Sequence, residues 1–168
     1  MPSASPSPTP TVLICTASQL QAWAGPNGAA TALIGSELAF VNVSAQPCAL
    51  YGYPTVQLLD SAGNQITSSD QPITPNTGDD DINPGLVVLE TGQPAYFMVF
   101  YPMNADAPPV TCPTSAELQL TPPGLTTALT LTGVGAQIAP YGTSSVPCGL
   151  LMVTPVTATK LLPASDGS

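Results

Sequence analysis

Ten carboxylates, four cysteines and a single lysine make up almost all the ionic, metal-binding or covalent chemistry this chain could attempt, because it has neither histidine nor arginine. The densest cluster is Asp79-Asp80-Asp81-Ile82-Asn83-Pro84-Gly85, followed by Glu90. Counted as a calcium loop from Asp79, it sets Asp79, Asp81, Asn83 and Glu90 at the first, third, fifth and twelfth positions, an oxygen-donor spacing that suits Ca²⁺. The sixth position of such a loop turns sharply and calls for glycine, but Pro84 stands there, and no flanking helices are expected. An acidic surface loop is the plainer expectation. Calcium is the one cofactor the pattern would take.

Catalysis has few routes. Without histidine, neither a Ser-His-Asp nor a Cys-His arrangement can be built. Lys160, the only amine base, lies near the C-terminus, and no nucleophile elbow, phosphate loop or dinucleotide fingerprint occurs. A carboxylate pair of the glycosidase kind would have to come from Glu37, Glu90, Asp106 and Glu117, and solvated strand and loop charges explain these equally well. The expectation is a protein that is not an enzyme, with a glycan-active enzyme as the remote alternative.

Cys15, Cys48, Cys112 and Cys148 are widely spaced, with no Cys-x-x-Cys pair, which points to disulfides rather than zinc. Three pairings are open. Cys15 with Cys48 and Cys112 with Cys148 is favoured, because each bond then joins neighbouring segments within one half of the chain. Each would contribute roughly 3 to 4 kcal/mol by loop closure, and both imply an oxidising, extracellular or cell-envelope location. Asn42-Val43-Ser44 matches the glycosylation acceptor pattern, a match that would be incidental in a bacterial protein.

The elements that position these groups are short strands. The 168 residues suffice for one domain, 43% of them are hydrophobic, and 21 prolines and 14 glycines interrupt the chain too often for long helices. The net charge of -9 excludes nucleic acid and disfavours anionic membranes.

Residues 11–16 read as a first strand and 20–25 as a second short segment, with a turn at Pro26-Asn27-Gly28. Leu38 and Phe40 alternate with Glu37 and Ala39 up to Asn42. A loop follows, holding Pro47 and Cys48 and ending at Gly52. Further strands are expected over 54–60, with Val56 and Leu58 inward, over 65–68 after a hairpin connection at Ser61-Ala62-Gly63-Asn64, over 86–90 and 94–101, over 116–121 and 126–132, with Leu118, Leu120, Leu129 and Leu131 inward, and over 149–156, with a long polar loop at 69–85. Eight or nine short strands with a turn every 8 to 12 residues give an antiparallel β-sandwich.

In Ala-Tyr-Phe-Met-Val-Phe-Tyr both faces of the strand are apolar. Ala95, Phe97 and Val99 suit the core; Tyr96, Met98 and Phe100 are then either covered by a neighbouring segment or form a partner patch. Trp23, the only tryptophan, reads as core or edge packing, with stacking on a sugar as the functional alternative. Residues 1–10 form a Pro/Ser-rich tether that suits a lipid anchor upstream, residues 11–157 a single domain and residues 158–168 a flexible tail. No apolar run spans a membrane and no export signal is visible; an exported protein would have lost its signal, leaving Met1 as an artificial start.

The residues Cys15, Asn42, Pro47-Cys48-Ala49-Leu50-Tyr51-Gly52-Tyr53-Pro54, Asp60 to Gly63, Gly92 to Ala95, Cys112, Pro122-Pro123-Gly124 and Cys148 resemble a family of actinobacterial secreted and lipoprotein modules, a domain of unknown function numbered 4232. The resemblance covers 15–156. It implies an immunoglobulin-like sandwich at the cell envelope and supplies no catalytic residues. The near lack of basic residues and the acidic loop depart from the family, so a partner used by other members need not be shared. The expected function is a non-catalytic secreted or envelope-anchored module that binds or displays a protein or extracellular polymer, as a monomer or weak homo-oligomer. A self-assembling structural protein is the alternative.

Overall fold

The structure, a computed structural model, describes residues 3–6, 11–30, 33–66, 68–72, 83–102, 115–132 and 149–161. Within them a 3₁₀ turn, Ala17–Gln19, precedes eleven strands. These are β1 (Leu20–Ala30), β2 (Leu33–Asn42), β3 (Cys48–Tyr51), β4 (Thr55–Leu59), β5 (Gln65–Ile66), β6 (Ser68–Pro72), β7 (Leu86–Leu89), β8 (Pro94–Pro102), β9 (Glu117–Thr121), β10 (Leu129–Thr132) and β11 (Gly149–Val153). The protein is all-β.

The strands form a five-stranded sheet in the order β1-β2-β8-β11-β6, a four-stranded sheet in the order β10-β9-β4-β5, and a two-stranded sheet of β3 and β7. Pairing is antiparallel throughout except between β6 and β11, which run parallel. A parallel pair needs a long connection, and these two strands lie far apart in the sequence.

One core joins all three sheets, because the period of two sends alternate residues inward on each. The five-stranded sheet supplies Leu38, Phe40, Ala95, Phe97, Val99, Tyr101, Leu151 and Val153, and the four-stranded sheet supplies Val56, Leu58, Ile66, Leu118 and Leu120. Phe40 and Phe97 stack at its centre, with ring centroids 5.2 Å apart. Burying each large apolar side chain contributes roughly 1.5 to 3 kcal/mol. Burial also pushes the Tyr101 phenol up to about 12, against a smaller opposite pull from the Ser36 hydroxyl.

Several sequence expectations change. The strand expected over 11–16 reduces to one parallel bridge between Ile14 and Ala49. Pro26-Asn27-Gly28 makes no turn; it lies inside β1, where the register with β2 shifts between Ala24 and Asn27. An edge strand tolerates a proline because the missing N–H faces no neighbour. The loop expected around Cys48 is strand β3, closed at Gly52, whose φ of 105° suits glycine. The loop expected from residue 69 starts instead as β6. The eight or nine strands thus become eleven among the described residues, and β1 and β2 are long.

Candidate functional site

Three surfaces flank the disulfide corner and the outer faces of the sheets. At the corner, Cys15 and Cys48 are bonded and buried, with Cα atoms 4.8 Å apart. Asn42 is buried beside them. Its Nδ2 donates to Leu89 O at 2.9 Å and Gln46 O at 2.8 Å, while Oδ1 accepts from Ser44 N at 2.9 Å and Ser44 Oγ at 2.8 Å. Its backbone binds the next turn, with Gly92 N donating to Asn42 O at 2.7 Å. All the hydrogen-bonding capacity of the amide is used. The Asn42-Val43-Ser44 pattern therefore serves as a structural clamp, and in the folded chain its nitrogen is closed to an attached sugar. A cleft of about 430 Å³ opens alongside, between residues 11–14 and the turn Gln46–Cys48.

The small sheet carries the second surface. Cys48, Leu50, Val87 and Leu89 point inward and are buried. The opposite face sets Ile14, Ala49 and Val88 in one row across three chain segments, and Tyr51 and Leu86 in the next. Backbone bonds hold the first row together: Cys15 N donates to Ala49 O and Ala49 N to Leu13 O, both at 2.9 Å. On this face Leu86 is 63% exposed, Tyr51 57%, Ile14 52% and Val88 44%. Four large apolar side chains side by side on one open face are more than scattered surface residues.

The third surface is the outer face of the five-stranded sheet. Trp23, with Gly25, Glu37, Ala39 and Tyr96, shares it. Trp23 meets Tyr96 edge to face, with centroids 6.4 Å apart. A Cβ on Gly25 would lie 2.6 Å from the indole and 3.1 Å from Glu37 Oε1, so the glycine lets ring and carboxyl group approach each other. A cleft of about 230 Å³ lies here, lined by Trp23, Val41, Gly92, Pro94, Tyr96 and Lys160.

The residues singled out in the sequence are spread over these surfaces. Met98 of the expected patch is buried, and Tyr96 and Phe100 are half-buried, so the three form no open apolar surface. Met98 and Phe100 pack over Gly35, where a Cβ would come within 2.8 Å of both side chains. Of the calcium residues, Asp79 and Asp81 lie outside the described residues, and Asn83 and Glu90, both exposed, flank β7 at opposite ends. Among the described residues no group of three or more His, Cys, Asp or Glu is placed to hold a metal ion. Glu37 is on β2 and Glu117 on β9, in different sheets, Glu90 follows β7, and Asp106 lies outside the described residues. Cys112 and Cys148 also lie outside them, so one disulfide is shown. No described helix is long and apolar enough to cross a membrane.

The small-sheet face had no distinct signal in the sequence. Leu86-Val87-Val88-Leu89 is uniformly apolar, and such a run does not tell a strand buried on both faces from one with an open apolar face.

The model of a domain of unknown function, DUF4232, matches residues 15–157. The chain belongs to the DUF4232 family. No curated protein and no solved structure matches it. The DUF4232 match starts at Cys15 and ends at Thr157, so it takes in the disulfide, the Asn42 clamp and most of both outer faces, leaving out Ile14 and Lys160.

Proposed function

We propose that this DUF4232 chain is a non-catalytic binding module, exported to the cell envelope or beyond, that holds a partner protein on the outer face of its small sheet. The observation that carries this is the pair of adjacent exposed rows that hold Ile14 and Val88, and Tyr51 and Leu86. Contiguous apolar faces of this kind are a mark of protein docking. With ten acidic residues and one basic residue, the chain favours a partner whose apolar surface is rimmed by Lys and Arg. The Cys15–Cys48 bond is compatible with an oxidising compartment. A Pro/Ser tether at 1–10 would hold the domain off an anchor. Two largely antiparallel sheets with a shared core support an immunoglobulin-like sandwich, and an actinobacterial lipoprotein or secreted protein fits the tether.

The test compares wild type with a Tyr51→Asp/Leu86→Asp variant as baits on an envelope extract. A protein retained by wild type and lost with the variant is the expected result. Equal retention by both would remove this face from consideration. Concentration-dependent self-association of wild type, abolished in the variant, would instead favour a structural assembly.

A further inference from the structure

After β11 the chain stays on the molecule. Thr154 N donates to Met98 O at 3.0 Å, and Thr157 and Tyr96 exchange both backbone hydrogen bonds at 2.8 Å. Residues 158–161 then cross the outer face of the five-stranded sheet. There Leu161 N donates to Glu37 Oε2 at 2.7 Å, and Lys160 Nζ lies 5.9 Å from the centre of the Trp23 ring. Two neighbouring groups of one peptide are thus recognised separately. The ammonium is held by an aromatic face, within the range of a cation–π contact, and the following amide by a carboxyl oxygen.

The receiving groups belong to β1, β2 and β8 rather than to the tail, and the sheet holds them in place. Glu37 is buried, Trp23 is braced against Tyr96, and Gly25 leaves room for both. The arrangement is a small aromatic site with a carboxyl group beside it, on a chain of net charge -9. Such a site selects a cation, and the Glu37 carboxyl oxygen, which accepts a backbone N–H, selects a peptide. Lys160 is the only cation in the chain.

We propose that the Trp23–Glu37 site, which borders this cleft, binds a lysine-bearing extended peptide segment of a partner protein and is occupied in cis by the chain's own Lys160-Leu161. The tail competes at an effective concentration of about millimolar, as short tethers do. A partner segment must exceed that to enter, so the tail sets a threshold for binding. The site is independent of the small-sheet face.

Trp23 is the only tryptophan, so its fluorescence reports on the site directly. The full-length Lys160→Ala/Leu161→Pro variant loses both the ammonium and the N–H that Glu37 accepts. The probe is the acetylated, amidated peptide Ala-Thr-Lys-Leu. A saturable fluorescence change is expected in the variant, with apparent affinity about tenfold or more above that for wild type. Norleucine in place of the peptide lysine is expected to weaken binding about fivefold. The single variant Lys160→Ala, which keeps the Leu161 N–H bond to Glu37 and removes only the ammonium, shifts the apparent affinity in the same direction by a smaller factor should the double variant fail to fold. The proposal is overturned if the open variants show no saturable response at roughly ten times the tail's effective concentration, if wild type responds equally, or if the norleucine peptide binds as well.

Discussion

Asn42 Nδ2 donates to Leu89 O at 2.9 Å across a sequence separation of 47 residues, joining the end of β2 to the end of β7 inside the protein. Through this bond the five-stranded sheet and the small sheet share a corner with the Cys15–Cys48 disulfide.

Asn42→Ala should be among the most damaging polar substitutions. It removes both Nδ2 bonds and leaves the buried Leu89 carbonyl without this donor, at a cost of about 2 to 4 kcal/mol. Urea unfolding should show a lower midpoint at unchanged slope. A loss below about 0.5 kcal/mol would contradict the clamp.

Replacing Cys15 and Cys48 together by alanine opens a link with a sequence separation of 33. Loop-closure entropy predicts a loss of roughly 3 to 4 kcal/mol. Because Ile14 is carried by the bonded segment, the variant should also lose partner retention on the small-sheet face, which the paired bait experiment would detect.

The two faces of β7 should behave oppositely. Leu89→Ala opens a cavity in the core and should cost roughly 2 to 5 kcal/mol, whereas Val88→Ala, on the open face, should change stability by less than about 1 kcal/mol. Thermal unfolding of the two variants checks the register directly. Equal losses would place Val88 in the core.

Tyr101 makes stability depend on alkaline pH. Its phenol is raised from 10.0 to about 12 by burial, so the folded chain retains a proton that the unfolded chain releases. Its contribution is complete below pH 10 and is lost as pH rises through 12, at most about 2 to 3 kcal/mol. The stability difference between wild type and Tyr101→Phe, followed from pH 9 to 12, should shift by this amount. A constant difference would count against a buried, neutral phenol.

Much of the fold was legible in the sequence. Alternation at Leu38 and Phe40, at Val56 and Leu58, and at Leu118 and Leu120 identified core-facing positions that the structure buries. The Asp60 turn was also visible, and its carboxylate accepts from Asn64 N at 2.8 Å and Ala62 N at 2.9 Å. These bonds, Asn64 foremost, hold the Asp60 carboxyl below its ordinary value. Local signals of this kind depend on neighbours in the chain, so composition and period reveal them.

Other features depended on which strands became neighbours. Pro26 looks like a turn residue, and only its place on an edge strand makes it acceptable within β1. Tyr96-Phe97-Met98-Val99-Phe100 and Leu86-Val87-Val88-Leu89 are both continuous apolar runs, yet Met98 is buried while Leu86 and Val88 are open. Period and hydrophobicity are the same in kind for both; what differs is what lies over each face. The sequence by itself determined an all-β chain with inward-facing rows, a disulfide-bonded character and an acidic surface poor in cations. Only the tertiary structure decided which apolar face stayed open and brought Lys160 over Trp23, because both result from contacts between segments far apart in the chain.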